Sequence, residues 1–414
     1  MRKLITLIGY LFFIGYSFGQ TVQNFTHCEN VENIGFAGNR INRIDSLLSQ
    51  YVKDKKLPNA IALVIKDGQI VYSGAYGYKD VENKIIVKSD DIFRNASQTK
   101  AITSAVLLSL FEEGKFKLDD PIEKYLPMFA NPQVYESGDA KEGTLKTRPA
   151  KRSITIRHLL THTAGYDYNP YGQEVEGFFY RYPITSQEVL ERMAKIPLQH
   201  DPGEKFTYGF STDIAGYLAE AIGGKTLDVL MRERILDPLG MKDTYFVQPQ
   251  RNYDRLVKLY TQDAGTNSYQ LTDDQFAQDA PKITYKTALC GGAGLSGTIE
   301  DYARFCQMIL NGGEFNNQRV LGRQTVELMT SSQMEGVETY HDFSMAFELT
   351  NKYRYNKCMV PPNSLKWGGA FGTDYIIDRK NNMILLFYTN INQTYNDNVS
   401  MHEAFHISVY QSMK

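Results

Sequence analysis

The sequence predicts an α/β lobe made from both ends of the chain, with an all-helical lobe inserted between them. Three observations predict it. Near the N-terminus, the β-rich runs Ala60 to Lys66 and Gln69 to Ser73 flank Asp67-Gly68, a tight-hairpin dipeptide. Near the C-terminus, Tyr375 to Asp378 and Met383 to Tyr388 flank Arg379-Lys380-Asn381-Asn382, a second hairpin signal. Between about Ser97 and Tyr285 there is no strong strand series, and the chain reads as helices and long loops. The expected α/β lobe covers about 35–96 and 286–414, and the helical lobe about 97–285. A cleft is expected where the two meet.

The remaining elements follow in order. Arg2 and Lys3 form a positive n-region, Leu4 to Tyr16 an apolar h-region, and Ser17-Phe18-Gly19 a small-residue cleavage site. The apolar run is shorter than the ~18–20 residues of a membrane span. Residues 1–19 are therefore expected to be a cleaved signal peptide, with Gln20 as mature start. A secreted or periplasmic protein without a stable membrane anchor follows. No cysteine stands at the cleavage site, so lipid attachment there is not indicated. Apolar residues at Ile41, Ile44, Leu47, Leu48 and Tyr51 predict a helix over 41–52. Asn131 to Arg152 is polar and turn-rich, a surface excursion, and an amphipathic helix is expected over about Val399 to Gln411.

Composition narrows the function classes. Lys plus Arg is 45 against 47 Asp plus Glu, a net charge of −2, so no nucleic-acid or membrane-surface footprint is present. The 28 Tyr and 22 Phe suit an aromatic-lined cleft, although such residues more often serve ordinary packing. Cys28, Cys290, Cys306 and Cys358 are scattered without C-x-x-C spacing, so neither a disulfide framework nor a zinc site is indicated.

The chemistry centres on Phe93-Arg94-Asn95-Ala96-Ser97-Gln98-Thr99-Lys100, which opens a helical apolar run ending near Gly114, a candidate C-cap. Positions i and i+3 share a helix face, so the Ser97 hydroxyl and the Lys100 amine can approach each other. A serine hydroxyl becomes a nucleophile when a neighbouring base takes its proton. A lysine can be that base when burial and nearby cations disfavour its charge. A helix N-terminus adds N–H groups suited to an oxyanion. Ser-x-x-Lys alone is weak, since a capping serine with a solvated lysine gives the same spacing.

Longer blocks raise it. Ile154-Thr-Ile-Arg-His-Leu-Leu-Thr-His-Thr-Ala-Gly-Tyr166, Pro202-Gly-Glu-Lys-Phe-Thr-Tyr208 with Ser211-Thr-Asp-Ile-Ala-Gly-Tyr217, and Ile235-Leu-Asp-Pro-Leu-Gly-Met-Lys-Asp-Thr244 follow in order. Gly291-Gly-Ala-Gly-Leu-Ser-Gly-Thr298 and Trp367-Gly-Gly-Ala-Phe-Gly372 complete the series. Together they resemble the serine β-lactamase-like hydrolases: class C β-lactamases, D-alanyl-D-alanine carboxypeptidases and family VIII-type esterases. The resemblance runs from about Ile44 to Val409. It implies a β-lactamase/transpeptidase-like fold, an antiparallel sheet flanked by helices with a helical insertion. It implies Ser97 as the acylated nucleophile, Lys100 as its base and Tyr208 as the proton shuttle, which needs the Lys100 charge beside it. It places the oxyanion hole at the N–H of Ser97 and one from the strand after Gly368, within Gly369 and Ala370.

Two departures from the family pattern bear on substrate. Tyr208-Gly209-Phe210 replaces Tyr-x-Asn, so the amide that would bind a peptide-like substrate is missing and Phe210 favours an apolar acyl group. The third motif has two registers, Trp367-Gly368-Gly369 or Lys366-Trp367-Gly368, and a one-residue slip would exchange their faces. The first matches the esterase branch and removes a carboxylate-binding cation.

His402-Glu403-Ala404-Phe405-His406 matches the H-E-x-x-H zinc pattern, but only eight residues follow, too few for the usual third ligand. His158 and His162 are also four apart, and a structural role is expected for them. The expected function is an exported serine hydrolase acting on a small ester or acyl compound through an acyl-enzyme, with no cofactor and no metal. Alternatives are a D-alanyl-D-alanine carboxypeptidase or β-lactamase acting on cell-wall peptides or penicillins, a penicillin-recognising binding protein with little turnover, and, last, a zinc protease.

Overall fold

The computed structural model describes residues 24–168, 184–263, 268–284, 288–392 and 400–414. The main sheet contains β1 (Thr26–His27), β2 (Asn59–Lys66), β3 (Gln69–Asp80), β4 (Ile85–Ile86), β5 (Asp342–Phe343), β6 (Glu348–Leu349), β7 (Leu365–Gly368), β8 (Asp374–Asp378) and β9 (Met383–Tyr388). Its spatial order is β1-β3-β2-β9-β8-β7-β6-β5, with β4 on β3. Both chain ends thus build one sheet, because β2 pairs with β9 from Ile61↔Tyr388 to Lys66↔Met383. The sheet is mixed rather than purely antiparallel: the short β1 joins the edge of β3 in parallel.

Local chemistry sets the two hairpins. Asp67 and Gly68 both hold positive φ, 52° and 75°, the geometry of a two-residue turn that matches strand twist. In the other hairpin, the Asp378 carboxylate accepts from the N–H groups of Lys380 and Asn381, both at 3.0 Å. β2 and β9 are buried on both faces. Ile61, Leu63, Ile65, Ile384 and Leu386 enter one core, while Ala62, Val64, Leu385 and Phe387 enter the other. Ordering a residue's backbone costs about 1–2 kcal/mol. Fully burying a large apolar side chain stabilises by about 1.5–3 kcal/mol, so strands covered on both faces are favoured by burial alone.

The second core is closed by α1 (Arg43–Lys53), through Ile44 and Leu48, and by the C-terminal helix. The first holds α2 (Thr99–Glu112), α3 (Ser211–Gly223) and α4 (Ile299–Leu310). Two further helices pack against each other, α5 (Lys352–Cys358) and the C-terminal α6 (Met401–Tyr410). From Thr99 through Leu110 every residue of α2 is buried. It is the central helix, and the first residues of its apolar run carry the chemistry.

α2 ends at Glu112, and Gly114 (φ 71°) makes the left-handed turn just past its end, as expected for a C-terminal glycine. Two details differ from the sequence reading. The helical middle contains two short hairpins, Gln133–Ser137 with Lys146–Pro149 and Tyr260–Asp263 with Ser268–Leu271. Their four- and five-residue strands are short and mostly polar, with Val134 and Tyr260 their buried residues. The last helix starts at Met401, and Val399 lies outside the described residues, as does the 1–19 segment. No helix among the described residues is long and apolar enough to cross a membrane. The four cysteines are unbridged.

Candidate active site

Ser97 lies in a 3-10 turn, Ala96–Gln98, that leads directly into α2. Ala96 holds φ 46°, a left-handed conformation that strains an alanine. Several elements clamp this elbow. Asn95 N–H donates to Leu295 O (3.0 Å), and Leu295 N–H donates to Thr99 Oγ1 (3.1 Å). Tyr302 Oη donates to Gln98 O (3.0 Å), and Tyr388 Oη donates to the Gln98 side-chain carbonyl (2.6 Å). Ser97 itself stays half-buried.

Lys100 is buried and donates in three directions: to Ser97 Oγ at 3.4 Å, Tyr168 Oη at 2.7 Å and Gly292 O at 2.7 Å. Its ammonium also stands over the Tyr208 ring, 4.9 Å from the centroid. The expected pairing of hydroxyl and amine across one helical turn is therefore present as geometry. Gly292 is fixed in turn by Asp213, whose buried carboxylate accepts from Gly292 N–H and Cys290 Sγ, both at 2.8 Å. Burial raises the Asp213 pKa, while the Lys100 charge and these hydrogen bonds oppose the rise.

Tyr208 is held by the segment around His162. Thr207 N–H donates to His162 O (2.8 Å), and the His162 ring packs on Tyr208 at 4.9 Å. Burial, with the Lys100 charge, pushes His162 down to about 3, so it is a neutral packing ring. His158 caps its own helix: its Nδ1 accepts from Thr155 N–H at 3.1 Å.

Trp367 and Lys366 lie in different surroundings. Trp367 Nε1–H donates to Tyr208 Oη at 3.2 Å, and its ring lies 5.0 Å from Tyr208 and 5.4 Å from Phe343. Lys366 is ion-paired with Glu348 on the neighbouring strand at 2.9 Å. Gly368 ends β7, and Gly369 follows against the nucleophile elbow: a Cβ on Gly369 would collide with Asn95 O and Thr373 Oγ1. Ala370 is exposed beside it.

Phe210 departs from its expected place. It is fully buried at the start of α3, its ring 4.7 Å from Tyr166. A side chain with no exposed surface cannot line an open acyl pocket. Here Phe210 is core: it packs on Tyr166 where the chain enters α3, and the preceding Gly209 lies so close to Tyr166 O that a Cβ there would collide. The histidines of the zinc-like motif are also committed elsewhere, His402 Nε2 to Gly372 O (3.1 Å) and His406 Nε2 to Asp374 Oδ2 (2.8 Å).

Sequence reasoning passed over Tyr168, Asp213 and Gly292. Tyr168 follows the Thr-Ala-Gly block by three residues, and Asp213 and Gly292 stand inside blocks quoted above. No spacing tied them to Lys100; only the fold brings them there.

Comparison with known proteins places this geometry in a family. The family model described as Beta-lactamase matches residues 44–405. A putative D-alanyl-D-alanine carboxypeptidase of Escherichia coli K12 is 28% identical over 386 residues, covering 87% of this chain and 84% of that protein. Esterase EstB of Burkholderia gladioli is 26% identical over 374 residues, covering 84% and 90%. The solved structure of EstCE1, a hydrolase with promiscuous acyltransferase activity, matches with a TM-score of 0.76 at 22% identity. It covers 90% of this chain and 98% of that one, and at such identity the likeness speaks for the fold.

Proposed function

The chain belongs to the beta-lactamase family, and on that premise we propose that it is an exported serine hydrolase that cleaves small carboxylic esters through an acyl-enzyme on Ser97. Ser97 Oγ attacks the carbonyl carbon while its proton passes to Tyr208 Oη, taken here as the phenolate paired with the Lys100 ammonium above its ring. The carbonyl oxygen takes the negative charge between the N–H groups of Ser97 and Ala370. The leaving alcohol receives a proton through Tyr208. Water then attacks the acyl-enzyme by the reverse route, restoring the serine. The Trp367 N–H on Tyr208 Oη and the Lys100 ammonium over the ring both favour negative charge on that oxygen. We place this chemistry between the two proposed lobes, 35–96 with 286–414 and 97–285. Export rests on the proposed 1–19 signal peptide.

The single observation that carries the ester preference is the Lys366–Glu348 ion pair at 2.9 Å, both side chains about 15% exposed. Lys366, the cation that the alternative register would supply, is already paired with Glu348, while the aromatic Trp367 faces Tyr208. A penicillin or a D-alanyl-D-alanine peptide carries a carboxylate that would lose hydration here without gaining a free cation. A missing charged hydrogen bond is worth about 1.5–3 kcal/mol, roughly ten- to a hundredfold in kcat/KM. A neutral aryl ester meets no such penalty and can lie against Trp367. A relative called an esterase is consistent with this, and a relative called a putative carboxypeptidase keeps the alternative in view.

The test compares kcat/KM on 4-nitrophenyl acetate, a chromogenic cephalosporin and a D-alanyl-D-alanine peptide, with intact mass to locate the acyl adduct. The ester is expected to lead by at least tenfold. A cephalosporin or peptide ahead of the ester would replace the esterase reading with the β-lactamase or carboxypeptidase one. A stable penicilloyl adduct without turnover of any substrate would make the protein a penicillin-recognising binder.

A further inference from the structure

We propose that His402 and His406 on α6 are positioning residues, holding from behind the Gly369–Thr373 loop whose Ala370 N–H meets the oxyanion over Ser97. The inference rests on the acyl-enzyme reading above and goes beyond it, because neither histidine touches substrate.

The loop is the short turn between β7 and β8. It is closed internally by Gly369 N–H to Thr373 O (2.7 Å) and Gly372 N–H to Gly369 O (2.9 Å). Gly372 takes φ 88° to make that turn. One side abuts the nucleophile: Thr373 Oγ1 donates to Asn95 O (3.3 Å), and Gly369 has no room for a Cβ beside that same oxygen. Asn95 precedes the strained Ala96 and then Ser97. A shift of the loop therefore changes the distance between the two proposed oxyanion donors.

The other side is anchored by α6. His402 Nε2 meets Gly372 O at 3.1 Å, and a carbonyl oxygen can only accept, so this nitrogen carries the proton. One turn later on the helix, His406 Nε2 meets Asp374 Oδ2 at 2.8 Å. Residues i and i+4 of one helix thus seize the loop at Gly372 and at Asp374, the first residue of β8. Asp374 in turn pairs with Gly368 across the ladder, so this anchor reaches the third motif directly.

Helix docking alone does not require this. Met401, Phe405 and Val409 already seat α6 on the sheet through apolar contacts. Two polar rings in that interface carry a desolvation cost, which their hydrogen bonds must offset. The charged groups around the pair favour its ionised form. Burial opposes charge on both partners, yet the facing carboxylate and the Cys358 thiol raise His406, while His406, His402 and Lys366 hold Asp374 low. The H-E-x-x-H pattern thereby finds a role without metal: both Nε2 atoms are taken by the loop.

The test uses the full chain and a matched pair of aryl substrates, an ester and its thionoester, in which sulfur replaces the carbonyl oxygen. A thiocarbonyl draws far less from N–H donors, so the ester-to-thionoester ratio of kcat reports the oxyanion hole itself. His402→Ala is expected to lower kcat on the ester about tenfold or more with KM within about twofold, and to shrink the ratio several-fold. His402→Gln, which keeps an N–H donor at a similar reach, is expected to recover most of both. Should His402→Ala not fold, His402→Phe keeps the ring packing against Phe387 without the donor and carries the same comparison. A ratio unchanged in the donor-less variant, whether kcat holds or both substrates slow together, overturns the proposal. Wild-type ester turnover that survives Ser97→Ala, or no turnover at all, would instead overturn the acyl-enzyme reading.

Discussion

Three acceptors surround the three protons of Lys100, Ser97 Oγ, Tyr168 Oη and Gly292 O, so the ammonium is steered rather than merely placed near the serine. Residues that act as one unit lose activity non-additively. Ser97→Ala is expected to abolish acyl turnover and Lys100→Ala nearly so, with the double variant little worse than Ser97→Ala. Simple-ester hydrolysis at the wild-type rate in Ser97→Ala would remove the nucleophile assignment. Trp367→Phe keeps a ring against Tyr208 and Phe343 but deletes the N–H to Tyr208 Oη. A net hydrogen bond of about 0.5–1.5 kcal/mol predicts a roughly two- to tenfold loss in kcat. An unchanged kcat would separate the indole from the proton shuttle. Asp213 acts one step further back. Asp213→Ala leaves Gly292 N–H buried without its acceptor, a cost of about 1–3 kcal/mol readable by urea unfolding, and kcat should fall with it because Gly292 O guides Lys100.

At the scale of elements, the site is a junction of ends: the 3-10 turn before α2, the end of β7, and the loop before α3. Gly369→Ala tests how tight that junction is. The added Cβ meets a backbone oxygen of the nucleophile elbow, which cannot move without moving Ala96 and Ser97. Overpacking of this kind costs about 1–3 kcal/mol, and kcat on the aryl ester is expected to drop at least tenfold. A fully active Gly369→Ala would mean that the loop has slack. This junction also explains what could be read beforehand. The two hairpins of the main sheet were legible because turn chemistry is local: Asp67-Gly68 and the Asp378 carboxylate each act within a few residues. α2 was legible because its apolar residues, among them Ala101, Ile102, Ala105, Val106, Leu108 and Leu110, recur at helical spacing. The 133–149 and 260–271 hairpins were not, since their strands are mostly polar and too short to establish a period. Phe210 was misplaced because motif spacing gives position but not side-chain direction. Tyr168 and Asp213 went unassigned because their contacts with Lys100 and Gly292 span 68 and 79 residues of chain. The role of His402 and His406 was hidden by a motif whose usual meaning is metal.

Over the whole molecule, buried histidines of opposite tendency bound the stable pH range. Burial, with the Lys100 charge, pushes His162 from 6.5 to about 3. Below pH ~6.5 the unfolded chain therefore binds a proton there that the folded chain refuses, and stability falls as pH drops. His158, pushed down to about 4 chiefly by burial, adds in the same direction. His406 is the reverse case. Burial opposes its charge, but Asp374 and Cys358 outweigh burial and push it up to about 9. Its contribution is fully present below pH ~6.5 and is lost as pH rises through about 9, where the folded chain surrenders its extra proton. Asp374, held below its ordinary range, keeps the pair charged until well into acid. The contribution of these histidines should therefore peak near pH 6.5 and decline on both sides, by up to about 1.4 kcal/mol per group for each unit of pH, with Asp301, pushed up to about 6 by burial, working against the acid limb. Urea unfolding at pH 5, 6.5 and 8.5 measures this. His162→Phe, which keeps an aromatic ring under Tyr208, should flatten the acid limb without abolishing it, because His158 remains. His406→Gln should lower stability at pH 6.5 and flatten the alkaline limb alone. An alkaline limb as steep in His406→Gln as in the wild type would assign that slope to another group and leave the His406–Asp374 pair neutral.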